Sequence, residues 1–214
     1  MLIREHYNTR EEWLANRKTI GGSEAAAAVG MSPFMTNIEL WEYKTGRKKP
    51  PDLSDSDVVQ YGVKLEPALR NLYAAEHPEM EVSHFPYDIL HQDLFPCLAC
   101  TLDGELMEKQ TGRRGVLEIK TVQATSRAIW LQWQDRVPDH YFIQCMSQLM
   151  ATGWDFVVLY AQLKKLNGDS TIRPYHFERN DHLDDIRWLK PRLEKFWYGN
   201  VVADVRPSMI LPGL

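Results

Sequence analysis

Gly115-Val116-Leu117-Glu118-Ile119-Lys120-Thr121 is the stretch on which the reading of this chain turns. Apolar and polar residues alternate through it, and along a strand successive side chains point to opposite faces. Glu118 and Lys120 then share one face, and Leu117 and Ile119 the other. A carboxylate and an ammonium stand side by side, with the Ile119 carbonyl between them as a further oxygen donor. Asp103, near the end of the preceding strand, supplies a second carboxylate if the two strands pair. Such a set suits magnesium, a hard ion that takes oxygen ligands and keeps several waters beside one or two carboxylates. Hydrolysis of a phosphodiester needs a metal to polarise phosphate and acidify water, and a base to orient that water. A lysine beside the metal can act on the water, since a neighbouring cation and burial both depress its pKa. Taken alone, Asp followed by Glu-x-Lys is a weak signal, because most such triplets are the solvent face of a half-buried sheet.

Downstream, Pro138-Asp139 opens a helix that runs to Gly153. Trp154 to Leu163 reads as a buried strand, followed by a polar strand and an amphipathic helix from Asp181 to Tyr198, kinked at Pro191. Upstream, Met80–His84, Tyr87–His91 and Cys97–Asp103 have strand-like composition. A charged turn, Glu108–Arg114, leads into the Gly115–Thr121 strand. The N-terminal quarter reads as helical. Thr9-Arg10-Glu11-Glu12 and Thr36-Asn37-Ile38-Glu39 match the capping box, and Ser23 and Gly30 bracket a short alanine helix as N-cap and stop. A further helix covers Val58 to Glu76, apolar at Leu65, Leu69, Leu72 and Tyr73, with Pro67 starting or kinking it. Residues 48–57 read as a mobile surface loop. The fold class is α/β: one domain over residues 1–214, with a central mixed sheet flanked by helices.

Composition agrees with a soluble globular chain, 44% hydrophobic and 25% charged. No apolar run approaches the ~18 residues of a membrane helix, and the N-terminus lacks the apolar core of a secretory signal. Three cysteines are too few for a disulfide framework, which points to a reducing, cytoplasmic setting. A net charge of −4 argues against coating nucleic acid through bulk charge. It permits local basic patches, at Arg47-Lys48-Lys49, Arg113-Arg114 and Lys164-Lys165, each of which reads first as a solvated turn.

The ordered motifs resemble the lambda exonuclease/YqaJ-type viral recombinase nucleases, a branch of the PD-(D/E)xK superfamily. The match takes in Trp13 and Arg17, Ile20-Gly21-Gly22-Ser23-Glu24-Ala25-Ala26, Gly62-Val63-Lys64-Leu65-Glu66-Pro67, Leu102-Asp103-Gly104, Leu117 to Thr121, and Gln144 to Gly153. It covers about residues 10 to 163. The resemblance implies a restriction-endonuclease-like core and a Mg2+-dependent 5′–3′ exonuclease, with Mn2+ as a substitute. Such an enzyme digests one strand of linear double-stranded DNA and leaves a 3′ overhang for recombination by single-strand annealing. It also implies a ring-shaped homotrimer, a single-strand annealing protein as partner, and a bacterial host cytoplasm. Carried over by position, Asp103, Glu118 and the Ile119 carbonyl are metal ligands, and Lys120 activates water. Glu66 supports the metal cluster, and Gln144 stands beside the scissile phosphate or base. Arg17, Ser23 and Thr101 form the 5′-phosphate pocket. A nicking or restriction-type endonuclease, or an inactive DNA-binding module, are the competing readings.

Three departures and one false lead follow. Leu102 stands where the superfamily has proline, which shapes backbone and does no chemistry. Met146 stands where relatives often carry a second glutamine, which leaves the role of Gln144 open. The Asp103–Glu118 spacing is generous, with Met107 to Arg114 as a longer hairpin whose arginines can reach DNA. Gln144 and Gln148, four apart, would by themselves read as a polar surface stripe. Cys97 and Cys100 invite a zinc or iron–sulfur reading, but on a strand they point to opposite faces, and with Cys145 they fall short of four thiolates. They read as small buried residues. His77, His84, His91 and His140 show no metal-ligand spacing. Trp13, next to Arg17, is the tryptophan suited to stacking on a DNA end.

Overall fold

The structure, a computed structural model, describes residues 1–53 and 55–210; Ser54, within the expected loop, lies outside the described residues. The elements in chain order are β1 (Leu2–His6), α1 (Arg10–Asn16), β2 (Ile20–Gly21), α2 (Ala25–Ala28), α3 (Asn37–Lys44), α4 (Asp57–Glu76), β3 (Met80–Ser83), β4 (Asp88–Gln92), β5 (Phe95–Cys100), β6 (Gly104–Glu108), β7 (Arg114–Ala124), α5 (Arg127–Gln132), α6 (Asp139–Thr152), β8 (Phe156–Lys165), β9 (Ser170–Glu178) and α7 (Leu183–Phe196). The expected α/β class holds, but there are two sheets rather than one. Five strands run β3-β6-β7-β8-β9, with β7–β8 parallel and the other pairs antiparallel, and four run β1-β4-β5-β2.

Three strands escaped the sequence reading: the two-residue β2, inside the quarter read as helical, and β1 and β6, which rest on charges paired across the chain. Leu2–His6 is an edge strand whose Arg4 and His6 reach the buried Asp88 at 2.5 and 2.6 Å. Gly104–Glu108 hides because Glu105 breaks the alternation. That glutamate is buried all the same, between Arg4 at 2.6 Å and Arg114 at 3.0 Å. Arg4 thereby ties the four-stranded sheet to the five-stranded one.

β7 has two differently furnished faces. Its parallel register sets Glu118 beside Leu159 and Lys120 beside Ala161. Leu117 and Ile119 join Val158 and Tyr160 under Leu65, Leu69 and Tyr73 of α4. On the other face Val116, Leu159, Ala161 and Leu163 belong to the larger core, which includes residues of α2, α6 and α7. Each such aliphatic side chain contributes about 1.5–3 kcal/mol by leaving water. Glu118 and Lys120 lie on this second face, where only specific partners make a charge tolerable. Gly115 is required where β7 starts, because a Cβ there would meet the Phe156 ring at 2.1 Å.

The helix caps follow expectation except at Ser23 and in half of the Thr9 box, where the Glu12 carboxylate takes the Asn8 amide rather than that of Thr9. Thr9 accepts from the Glu12 amide, and Thr36 and Glu39 complete a reciprocal capping box. Gly30 and Gly153, at φ +75 and +72, stop α2 and α6. Ser23 is not an N-cap: it sits inside a 3-10 turn, Gly22–Glu24, whose start is closed by Glu24 accepting from the Gly21 amide at 2.7 Å. α4 runs through Pro67 rather than starting there, and α7 runs through Pro191. A helical proline leaves the carbonyl four residues back without its donor. Here those residues are Val63 and Arg187, both exposed, where water can serve.

Candidate active site

Glu118 is 2% exposed and surrounded by donors. Lys120 Nζ is 2.6 Å from its Oε1, and Gln144 Nε2 donates to the same oxygen at 2.6 Å. Gln148 donates to Oε2 in a short hydrogen bond. Both glutamines project from α6, one turn apart, so neither is the surface residue that their spacing suggests. Met146 lies between them in sequence but is buried in the core, since two residues along a helix is more than half a turn. It could not join them; Gln148 does instead. The Lys120 ammonium also lies 5.3 Å from the centre of the Tyr141 ring.

Asp103 stands between β5 and β6, and the pairing of Gly104 with Leu117 sets it beside Glu118. Its Oδ2 accepts from the Ile119 amide at 2.8 Å. A strand residue exchanges both its N–H and its C=O with one neighbour, so the Ile119 carbonyl faces the same edge. Burial, and then the charge of Glu118, hold the Asp103 carboxyl well above the ordinary carboxylate range. Burial pulls the Lys120 ammonium down, but the Glu118 and Asp103 charges outweigh it and leave the amine more basic than usual. Lys120 as it stands here is therefore a firmly held cation, not the pKa-depressed amine expected from the sequence. Glu66 of α4 also bears on Asp103 electrostatically and pairs with Arg70 at 3.1 Å. Arg70 in turn donates to the Asp103 carbonyl. A buried and a half-buried carboxylate in mutual repulsion, beside a backbone carbonyl, make an all-oxygen donor set that suits a hard divalent cation.

Arg17, Ser23 and Thr101 come together with Gln144 and Gln148 around one cleft, which Gly22 floors against both glutamine side chains. The Arg17 guanidinium lies 4.7 Å from the Trp13 ring centre. Thr101 is engaged elsewhere: it donates to the Asp88 carbonyl and accepts from Trp13 Nε1, both at 2.9 Å. A hydroxyl has one proton to give. Thr101 thus lines the cleft and fixes Trp13, with no donor left for a phosphate. Trp13 itself is half-buried and pinned.

Reading the sequence alone missed Gln148 and Arg70. The signal for Gln148 was its spacing from Gln144; for Arg70 it was the spacing from Glu66. Both pairs are four apart, and only the fold shows which faces they occupy. The arginines of the β6–β7 hairpin, expected to reach DNA, are partly exposed and already paired with carboxylates. Arg113 pairs with Glu108 and Glu178, and Arg114 with Glu105. Cys97, Cys100 and Cys145 are free and buried, as expected. No described helix is long and apolar enough to cross a membrane.

A family model described as the YqaJ-like viral recombinase domain matches residues 12–155. Over 211 residues the chain is 27% identical to the uncharacterized protein YqaJ of Bacillus subtilis (strain 168), covering 98% of this chain and 62% of that one. It thus spans less than two thirds of that relative's length. The fold is similar to an alkaline exonuclease, LHK-Exo, from Laribacter hongkongensis, with a TM-score of 0.65, 18% identity and coverage of 91% of this chain and 93% of that one. LHK-Exo in complex with dAMP is similar at a TM-score of 0.67 and 19% identity, with the same coverage. A phage related exonuclease from Haemophilus somnus 129PT follows, with a TM-score of 0.55, 13% identity and coverage of 87% and 96%. With its matched segment running from α1 to the start of β8 and taking in the whole carboxylate cluster, this chain belongs to the YqaJ-like viral recombinase family.

Proposed function

We propose that the protein is a metal-dependent 5′–3′ exonuclease that digests one strand of linear duplex DNA and leaves a 3′ overhang. One observation carries this reading: Gln144 and Gln148 form a wall shared by the carboxylate cluster and the Arg17/Ser23 cleft. A group that holds a strand end and a group that hydrolyses it are useful only at a fixed separation, and one helix sets it. Asp103, Glu118 and the Ile119 carbonyl are the residues to hold Mg2+ or Mn2+, with Glu66 behind Asp103. The ion supplies polarisation of the phosphate and a more acidic water.

The chain's own groups do the rest. Arg17 binds a terminal phosphate by charge-assisted hydrogen bonds, with the exposed Ser23 beside it. Gln144 and Gln148 keep the Glu118 carboxylate aimed. A bound cation would offset the Asp103 and Glu118 charges that hold the Lys120 proton, and burial would then favour a neutral amine placed to orient and deprotonate water. Assembly into a ring-shaped trimer and delivery of the overhang to a single-strand annealing protein belong to the same proposal and rest on family membership.

The test uses linear duplexes labelled on one strand at a time, with and without 5′-phosphate and magnesium. Metal-dependent release of mononucleotides from the 5′-ended strand is expected, faster from phosphorylated ends. Digestion from the 3′ end, or cutting of closed circular duplex at a similar rate, would replace this reading with another nuclease activity; no hydrolysis under any metal would leave a DNA-binding module.

A further inference from the structure

Of the three basic runs in the sequence, one is tied down throughout and a second at its first residue. Arg47 pairs with Asp204, and Arg113 and Arg114 with glutamates. Lys164-Lys165 at the end of β8 is different. Among the described residues, Lys164, Lys165, Arg127 and Arg173 have no carboxylate within 4 Å; what they have is aromatic rings. Lys165 Nζ and Arg173 Cζ each lie 4.5 Å from the centre of the Trp130 ring, and Lys164 Nζ lies 4.8 Å from that of Tyr61. Lys164 points to the opposite face, toward α4; in a chain of net charge −4, Lys165, Arg173 and Arg127 on the Trp130 side, without acidic partners within 4 Å, are a local field that attracts anions.

The register says where this edge lies. Lys120 pairs with Ala161, and Ala161 with Arg173. Directly opposed residues share a face, so Arg173 stands on the same face as Lys120, two strands away, roughly 10 Å at normal strand spacing. Lys165 pairs with Ala124, four residues beyond Lys120 on β7 and again on that face, roughly 13 Å further along. The cluster is thus continuous with the hydrolytic centre. Its parts also differ in freedom. Arg173 is half-buried and donates to the Trp133 carbonyl at 2.5 Å, while Lys165 is exposed at the strand end. Trp130, with Arg127 one turn before it on α5, borders an open pocket with Lys165.

We propose that Trp130, Lys165, Arg173 and Arg127 form a landing site for a single nucleic-acid strand next to the hydrolytic centre. A base stacks on Trp130, whose ring Lys165 can leave because nothing else holds it. The freed ammonium and Arg127 then take the flanking phosphates, with Arg173 as a fixed charge behind the ring. Stacking suits an unpaired base, whose face is open, and not one held within a duplex, which selects single strand as the occupant. This rests on the nuclease reading only for the hydrolytic character of the neighbouring centre, since the surface is defined by its own residues.

The experiment measures binding of a fluorescein-labelled oligodeoxythymidylate by anisotropy, without divalent metal, so that hydrolysis plays no part. Trp130→Ala should weaken binding about tenfold, and Trp130→Phe should restore most of it. Lys165→Gln, an exposed change that spares the fold, should flatten the slope of log K against log salt by about 0.7, one phosphate contact fewer on a single strand. Wild-type affinity in both Trp130→Ala and Lys165→Gln would overturn the proposal. So would losses seen only with blunt duplex, which would make duplex the occupant. Metal-dependent digestion by the wild type is scored separately: if it fails while the variants still lose single-strand binding, the nuclease reading falls and the landing site stands.

Discussion

The two halves of the cleft are built on opposite plans. Around Glu118, the groups are buried or half-buried and hold one another: one carboxylate takes donors from Lys120, Gln144 and Gln148, and Asp103 is locked to the Ile119 amide. Around Arg17, the side chains are half-exposed or exposed, and Thr101 spends its hydroxyl on Trp13 and Asp88. The first half has its geometry fixed before anything binds, as chemistry at a metal demands. The second has few internal commitments, and its remaining donors, on Arg17 and Ser23, are left for a ligand. The difference predicts that substitutions in the first half cost rate on every substrate, and substitutions in the second cost discrimination between substrates.

The largest effects test the first half. Asp103→Asn and Glu118→Gln should each reduce metal-dependent digestion by roughly a thousandfold, several kcal/mol of lost stabilisation of the reacting phosphate. Glu118→Ala is a poorer variant, because Glu118 is buried and its removal strands three donors. Activity within a few-fold of wild type in either conservative variant would remove these carboxylates from the chemistry.

Gln144→Ala and Gln148→Ala come next. Each should lose about 10–100-fold, the usual cost of removing a group that aims a metal ligand. An equal loss in the two would support a shared carboxylate-aiming role; loss at Gln144 alone would return Gln148 to packing. Arg17→Ala should act differently, cutting the advantage of 5′-phosphorylated over unphosphorylated ends by roughly tenfold, the worth of a charge-assisted hydrogen bond, while slowing hydroxyl ends little. A uniform slowing of both end types would erase the contrast between the halves.

The smallest effect is on stability, and it runs against function. A carboxyl whose folded pKa is raised, as Asp103's is, binds its proton more tightly in the folded chain than at about 3.9 in the unfolded one. Its contribution is complete below about pH 4 and is lost as pH rises toward the folded value. Metal-free protein should therefore be less stable at pH 8 than this residue would leave it at mild acid. Asp103→Asn keeps the acceptor for the Ile119 amide and removes the repulsion with Glu118, so at pH 8 it should melt roughly 2–4 °C higher. A lower melting temperature would mean that the two carboxylates are not in conflict.

Local pattern alone determined a good deal. The alternation from Gly115 to Thr121 specified β7, and the placing of Glu118 and Lys120 on one face follows from the two-residue period of a strand. The caps at Thr9 and Thr36 and the stops at Gly30 and Gly153 were legible because their causes lie within four residues. Only the tertiary structure decided the rest. β1 and β6 exist because Asp88 and Glu105 find arginines far away in sequence. Gln144 and Gln148 face Glu118 because α6 packs on that side of β7. Lys120 is a held cation because two carboxylates converge on it. Charge is the common reason: whether a polar residue faces water or another charge depends on long-range pairing, and the spacing of residues along the chain carries no record of it.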